Sequence, residues 1–158
     1  DDSMVELDSY FNQLGKKRRL AKIADDLRSE YEIIILDCPP VMNEVARQIM
    51  RAADLIIVPL SPSPLARRSL DLVRLELSRI VKAHAAILPV FSMIDRRRTL
   101  HREACAGQPD WPIIPMSSAI EQVAVRRAPI GAFERSCPAS AAFINLWKGI
   151  EAKLAKKK

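Results

Sequence analysis

The residues best placed to do chemistry are Asp37-Cys38-Pro39-Pro40, reached directly from the apolar run Ile33-Ile34-Ile35-Leu36. A carboxylate at the end of a buried strand can hold a Mg²⁺ ion, usually through a water, beside a nucleotide phosphate. The same position also suits two plainer tasks, capping the next helix or holding a ribose, so Asp37 alone leaves the chemistry open. The other reactive side chains point to no alternative site. Three cysteines, Cys38, Cys105 and Cys137, are widely spaced and odd in number, and the two histidines do not stand at metal-ligand spacing. Free thiols in a reducing cytoplasm fit this pattern better than disulfides or a zinc site.

The second chemical resource is positive charge. The formal net charge is +6, and the basic residues cluster at 16–19, 67–68, 96–98, 126–127 and 156–158. Exposed clusters of this kind ordinarily solvate a surface. Together they make an anionic partner plausible, with nucleic acid ahead of membrane, and mark Arg96, Arg97, Arg98, Arg126 and Arg127 as candidates for sequence-independent DNA backbone contacts. Asp95 is placed to pair with one of these arginines. With four Phe, two Trp and two Tyr, stacking on single-stranded bases is a poor fit. No run of about 18 apolar residues and no signal peptide is present, so no membrane span is expected.

These groups must be held by secondary structure. Three β-branched residues followed by Leu36 read as a strand buried on both faces, stopped by prolines that cannot donate to a ladder. Ahead of it, Leu20, Ile23, Ala24 and Leu27 repeat at helical spacing, predicting an amphipathic helix over 17–30. A short helix over 43–51 turns Val45, Ile49 and Met50 inward, and 55–59 form a second buried strand. The rigid loop Ser61-Pro62-Ser63-Pro64 leads into a long helix over 65–83 with Leu70, Val73, Leu77, Ile80 and Val81 as its core stripe. A third strand spans 86–94, a helix 100–106, and a short strand 111–115. Ser118, with Glu121 three residues on, forms a capping box for a helix to about 126. Residues 128–136 read as loop, and Pro138 starts a last helix with the stripe Phe143, Leu146, Trp147, Ile150 and Leu154. Strand and helix alternate throughout, which predicts an α/β fold with a parallel sheet flanked by helices on both faces. There is no internal repeat or linker, so residues 1–158 are expected to form a single α/β domain.

Taken in order, these blocks resemble the ParA/Soj/MinD family of partition ATPases, the P-loop ATPases with a deviant Walker A loop. Ile-Ile-Ile-Leu-Asp-Cys-Pro-Pro at 33–40 is similar to the family's Walker B-like strand, and Ala-Ala-Asp-Leu-Ile-Ile-Val-Pro-Leu-Ser-Pro-Ser-Pro-Leu-Ala at 52–66 to its next strand and loop. Ser-Met-Ile-Asp-Arg-Arg-Arg-Thr-Leu-His-Arg-Glu at 92–103 resembles the segment that runs past the adenine. Ile-Ile-Pro-Met-Ser-Ser-Ala-Ile-Glu-Gln at 113–122, Ala-Pro-Ile at 128–130 and Ser-Cys-Pro-Ala-Ser at 136–140 resemble the remaining blocks. The resemblance implies ATP and Mg²⁺ as cofactors, with Asp37 supporting the metal and the attacking water. Cys38, Pro39 and Pro40 would shape a nucleotide-sensing switch. Ser92, Met93, Pro115, Met116 and Ser117 would border the adenine, although many relatives carry Arg where Met116 stands. It further implies an ATP-dependent homodimer that binds DNA non-specifically, a ParB-like stimulating partner, and a role in segregating or positioning plasmid or chromosomal DNA.

One part of the family pattern is missing. The sequence has four glycines, Gly15, Gly107, Gly131 and Gly149, and no two are close enough to cradle a phosphate. The expectation is therefore that this chain is the carboxyl-terminal two-thirds of an intact ATPase, preceded by roughly 80 residues of a further βαβ unit. By itself such a chain would be inactive. The competing reading is a non-catalytic scaffold or DNA-surface module of the same fold without a P-loop. A phosphoacceptor domain using Asp37 fits less well, because Ser92-Met93-Ile94 supplies no lysine. The last helix, with its Lys-Lys-Lys tail, also resembles the membrane-targeting helix of the MinD branch, but a stripe of this kind in an α/β domain is expected to pack on the sheet.

Overall fold

The computed structural model describes residues 19–38, 43–80 and 85–155. In chain order the elements are α1 (Arg19–Leu27), α2 (Glu44–Ala52), β1 (Leu55–Leu60), α3 (Pro64–Arg79), β2 (Ala86–Ile94), α4 (Thr99–Ala106), β3 (Ile113–Pro115), α5 (Ser118–Arg126), α6 (Ile130–Phe133) and α7 (Pro138–Ala155). The strands form a three-stranded sheet in the order β1-β2-β3, and β2 runs parallel to β3. Each pair of consecutive strands is joined by one helix, the connection a parallel sheet requires. The α/β fold expected from the alternation is therefore present.

Two compact units are distinguished by their internal contacts, Asp1–Ile56 with Arg74–Ala85, and Ile57–Val73 with Ala86–Lys158. In the first, α1 lies against α2. Asn43 caps α2 by accepting the Ala46 N–H at 3.0 Å, and Val45 and Met50 turn inward as their spacing predicts. The best-buried residue of α2 is polar: Gln48 is 1% exposed, and its Oε1 accepts the Leu20 N–H of α1 at 3.2 Å. Ion pairs finish this unit, with Arg28 on Asp54 at 3.1 Å, Arg51 on Glu44 at 2.9 Å and Arg47 on Glu76 at 3.4 Å. Expected core residues Ile80 and Val81 lie past the end of α3; Ile80 is buried, and Val81 is outside the described residues.

The second unit is built on β2, whose Leu88, Val90, Phe91 and Ile94 are all buried. Pro89 interrupts this strand at no cost to the ladder with β3, which begins only at the Phe91 N–H donating to the Pro112 carbonyl at 2.9 Å. Leu70, on the first half of α3, is fully buried. On the other side of the sequence, α7 packs against β3 and α6, with Ala139 and Ser140 buried in its first turn. Cys137 caps that turn, its Sγ accepting the Ser140 N–H at 3.3 Å.

Four expectations need correction. Residues 33–36 are not a strand within this sheet. They have no regular secondary structure, no described strand pairs with them, and Ile35 is 79% exposed. A strand is defined by its ladder partners, which apolar patterning alone does not provide. Ser117, not Ser118, caps α5, accepting the Ala119 N–H at 3.3 Å, so Glu121 falls one residue beyond capping-box spacing. Residues 130–133, expected as loop, form α6. Finally, the stripe of α7 is only partly covered: Phe143 and Trp147 are each 39% exposed, and Trp147 Nε1 donates to Glu151 at 3.0 Å.

Leu70→Ala should lower unfolding stability by about 2–5 kcal/mol, the range for truncating a fully enclosed leucine. Urea unfolding followed by far-ultraviolet circular dichroism measures it, and a loss under about 1 kcal/mol would show that the site collapses around the smaller side chain.

Candidate functional site

The parallel ladder ends unevenly. Phe91 pairs with Ile113 and Ile94 with Pro115, so β2 carries two residues, Ser92 and Met93, opposite the single Ile114 of β3. The surplus is absorbed as a bulge, and Met93 adopts the left-handed conformation at φ 57°, uncommon for a side chain of its size. This turns Met93 out to 56% exposure. Beyond the bulge the strands stay in register, with the Met116 N–H donating to the Ile94 carbonyl at 2.9 Å. Met116, at 54% exposure, is thereby held beside the strand end.

A cavity of about 480 Å³ opens there, lined by Ile94, Asp95, Arg96, Arg97, Pro115 and Met116. It lies outside the carboxyl ends of β2 and β3, where open α/β sheets receive ligands. The structure thus brings Ser92, Met93, Pro115, Met116 and Ser117 together at one end of the sheet. Ser117, however, has committed its hydroxyl to the cap of α5. A second cavity of about 440 Å³ has Leu60, Phe91 and Trp111 as its apolar floor, with Arg67 and Glu103 at its border. Phe91 and Trp111 meet there with ring centroids 4.9 Å apart.

The charged wall of the first cavity is internally fastened. Asp95 receives Arg97 Nε and Nη2, each at 2.9 Å, and also the Arg97 N–H at 3.1 Å. The Arg97 guanidinium and backbone N–H hold the Asp95 carboxyl down at about 2, against an ordinary value of 3.8. Arg102, one turn into α4, donates to the carbonyls of Arg96 at 3.2 Å and Arg97 at 3.1 Å, and to Thr99 Oγ1 at 3.1 Å. Beneath them His101 is buried, and its Nδ1 accepts the Asp95 N–H at 3.0 Å. The sequence signalled an acid followed by arginines. It gave no sign that His101 and Arg102 hold the same turn, since that depends on how α4 folds back.

Arg126 lies over the Phe133 ring at 4.7 Å, an attraction between cation and π-face, and Arg127 is the left-handed C-cap of α5 at φ 47°. They stand at the far end of α5 from Ser117, about 14 Å of helix away, so the two arginine groups do not form one cluster. In the first unit, Asp37 and Cys38 are exposed and follow directly on the irregular segment 33–36. Loss of solvent around the sulfur, then the Asp37 carboxylate, push the Cys38 thiol above its ordinary value, and its Sγ lies 3.4 Å from the Leu36 carbonyl. A thiol raised in this way is a poor nucleophile. Pro39 and Pro40 lie outside the described residues. Among the described residues no three His, Cys, Asp or Glu side chains gather as a metal site, and no helix is long and apolar enough to cross a membrane.

A family model described as an AAA domain matches residues 2–88. The chain is 23% identical over 145 residues to the chromosome-partitioning ATPase Soj of Treponema pallidum, an alignment covering 85% of this chain and 57% of Soj. It is 31% identical over 87 residues to the chromosome partitioning protein ParA of Myxococcus xanthus, covering 51% of this chain and 31% of that protein. Its fold matches the cell division ATPase MinD of Pyrococcus furiosus with a TM-score of 0.70 at 22% identity, over 87% of this chain and 59% of that one. The septum site-determining protein MinD of Pyrococcus horikoshii, solved with Mg-ADP, gives 0.65 at 22% identity, over 90% of this chain and 56% of that one. The fold is that of the P-loop ATPases. Within them the chain belongs to the AAA domain family in its ParA/Soj/MinD partition-ATPase branch, and it spans less than three-fifths of each of these relatives.

In an Arg97→Ala variant the Asp95 carboxyl should titrate back toward its ordinary 3.8, because the groups that depress it are chiefly those of Arg97. Since its folded value is lowered, the pair stabilises the turn above about pH 4 and is lost as pH falls toward 2. Carboxyl-carbon NMR titration reads both midpoints, and identical values in wild type and variant would contradict the pairing.

Proposed function

We propose that the intact protein is a partition-type ATPase that binds ATP with Mg²⁺, dimerises in that state and then binds DNA non-specifically. A ParB-like partner would stimulate hydrolysis and release it, so that plasmid or chromosomal DNA is segregated or positioned. Residues 1–158 contribute one α/β domain to it, working in the cytoplasm.

The observation that carries this reading is the cavity at the carboxyl ends of β2 and β3. Pro115 and Met116 line it, and the bulge turns Met93 outward at the same strand end. These are positions where resemblance to the family expects the adenine. Thioether and proline surfaces suit the flat face of a base, methionine being soft and adaptable enough to follow it. Arg96 offers a cation at the border of the same cavity. Asp37 fits a metal held mainly by substrate phosphates, where one carboxylate acting through water is sufficient. ATP bound with Mg²⁺ would supply the phosphoryl group and the charge neutralisation that its transfer needs. Asp37 would orient the metal's water, and Met93, Pro115 and Met116 would fix the base. Arg98 and Arg127, exposed at opposite ends of their elements, are available to DNA phosphates, as is the outer edge of Arg126.

In the full-length protein, Met116→Glu should weaken binding of a fluorescent ATP analogue about tenfold or more by placing a carboxylate against the base. Asp37→Ala should abolish magnesium-dependent turnover while leaving analogue binding within a few-fold. Normal turnover in Asp37→Ala would end the catalytic assignment. DNA affinity should rise with ATP, fall steeply between 50 and 200 mM salt, and weaken further in Arg98→Ala and Arg127→Ala. DNA binding indifferent to ATP would instead favour the non-catalytic scaffold.

A further inference from the structure

We propose that His101 is a positioning residue for the cavity at the carboxyl ends of β2 and β3, its imidazole latching the Asp95–Arg98 turn that forms the cavity wall. What the cavity receives rests on the nucleotide reading above; the latch itself does not.

The argument begins with an N–H that the sheet leaves over. At the end of β2 the Ile94 carbonyl is taken by Met116, but Asp95 is past the last residue of the ladder. Its N–H therefore needs a partner outside the sheet, since few buried or half-buried backbone donors go unpaired. His101 supplies that partner from the first turns of α4, with Nδ1 at 3.0 Å. A ring nitrogen that accepts an N–H carries no proton, so this geometry calls for the imidazole protonated on Nε2 alone. The side chain is 6% exposed, which keeps water from replacing it as acceptor.

Once the Asp95 N–H is fixed, the remaining bonds of the turn follow. The Asp95 carbonyl accepts the Arg98 N–H at 3.1 Å, and the Asp95 carboxylate collects the Arg97 backbone and guanidinium. Arg102 then grips the carbonyls of Arg96 and Arg97 from outside. Two consecutive α4 side chains thus clasp the turn, His101 from the buried side and Arg102 from the exposed side. Arg102 works in water, where each bond is readily exchanged; His101 does not. Asp95, Arg96 and Arg97 are half of the residues lining the cavity, so freeing the Asp95 N–H loosens the wall on that side.

The test uses the full-length protein with three substitutions. His101→Asn keeps an acceptor close to the Nδ1 position, His101→Leu removes it while filling the space, and His101→Gln moves the acceptor toward the Nε2 position. Limited trypsin digestion with mass-spectrometric readout reports cleavage after Arg96, Arg97 and Arg98, normalised to cleavage after Arg79 as the measure of general opening. His101→Leu and His101→Gln should be cut about tenfold faster in the turn, the effect of losing one buried hydrogen bond, and His101→Asn should return to within a few-fold of wild type. Equal normalised rates in wild type and Leu, or an Asn variant as susceptible as Leu, would overturn the latch. Where Leu does not fold, the Gln and Asn variants decide the question. Fluorescent ATP analogue binding by the same proteins is the separate arm. A tenfold weaker affinity in Leu, restored in Asn, is expected. A turn that loosens with no change in affinity would overturn the link to the cavity, and a wild type that binds no analogue would overturn the nucleotide reading while leaving the cleavage comparison intact.

Discussion

Between Phe91 and Ile94 the central strand carries one residue more than the strand beside it, and the way the sheet absorbs that residue determines what its carboxyl end can do. Had Ser92 and Met93 continued the pleat, Met93 would point to one face of the sheet and pack there. The left-handed turn at Met93 takes its side chain off both faces and brings the strands back into register at Ile94 and Pro115. Backbone strain of this kind costs on the order of 1–3 kcal/mol and survives only where surrounding contacts over-determine it. Those contacts are visible: Phe91 and Ile94 flank the bulge as buried core residues, and the Met116 N–H closes the ladder immediately beyond it. The strained residue is exposed and its neighbours are fixed, so the strain is not relieved by packing Met93 into the core.

The same end of the sheet shows why a count of positive charges describes this surface poorly. Arg97, 88% exposed at its side chain, looks like a free cation in sequence but is bidentate on Asp95. Arg102 is committed to backbone carbonyls, and Arg126 to the face of Phe133. Among these arginines, those without such a contact are Arg96 and Arg98 on the turn and Arg127 at the end of α5, and Arg126 keeps only its outer edge for an anionic partner. Exposed pairs such as Asp95–Arg97 add little to global stability. Their effect here is local, giving a short polar turn one conformation where it would otherwise have many.

Much of the fold could be read from the sequence wherever local rules and tertiary contacts agree. The bounds of β2 follow from a mainly apolar run between loops, and α2 lies where helical periodicity puts it, while α5 starts one residue earlier than a Ser118 cap predicts. The readings that failed share a physical cause. Whether 33–36 is a strand depends on neighbours that no local pattern encodes, and the stripe of α7 could not reveal that burial falls on Ala139 and Ser140 instead of Phe143 and Trp147. Of the candidate site, the gathering of Ser92, Met93, Pro115 and Met116 at one place was legible because all four fall at strand ends. The latch was not, because His101 acquires its role only when six residues of chain close back on Asp95.

The cavity at the carboxyl ends of β2 and β3 is held in several independent ways. The cavity end is over-determined by a ladder, a buried histidine, a salt-bridged turn and a helix cap, all within one unit. A ligand site would gain from such rigidity, since preorganised walls spare the ligand the cost of ordering them. On the nucleotide reading proposed above, these bonds would hold the wall in place before a ligand arrives.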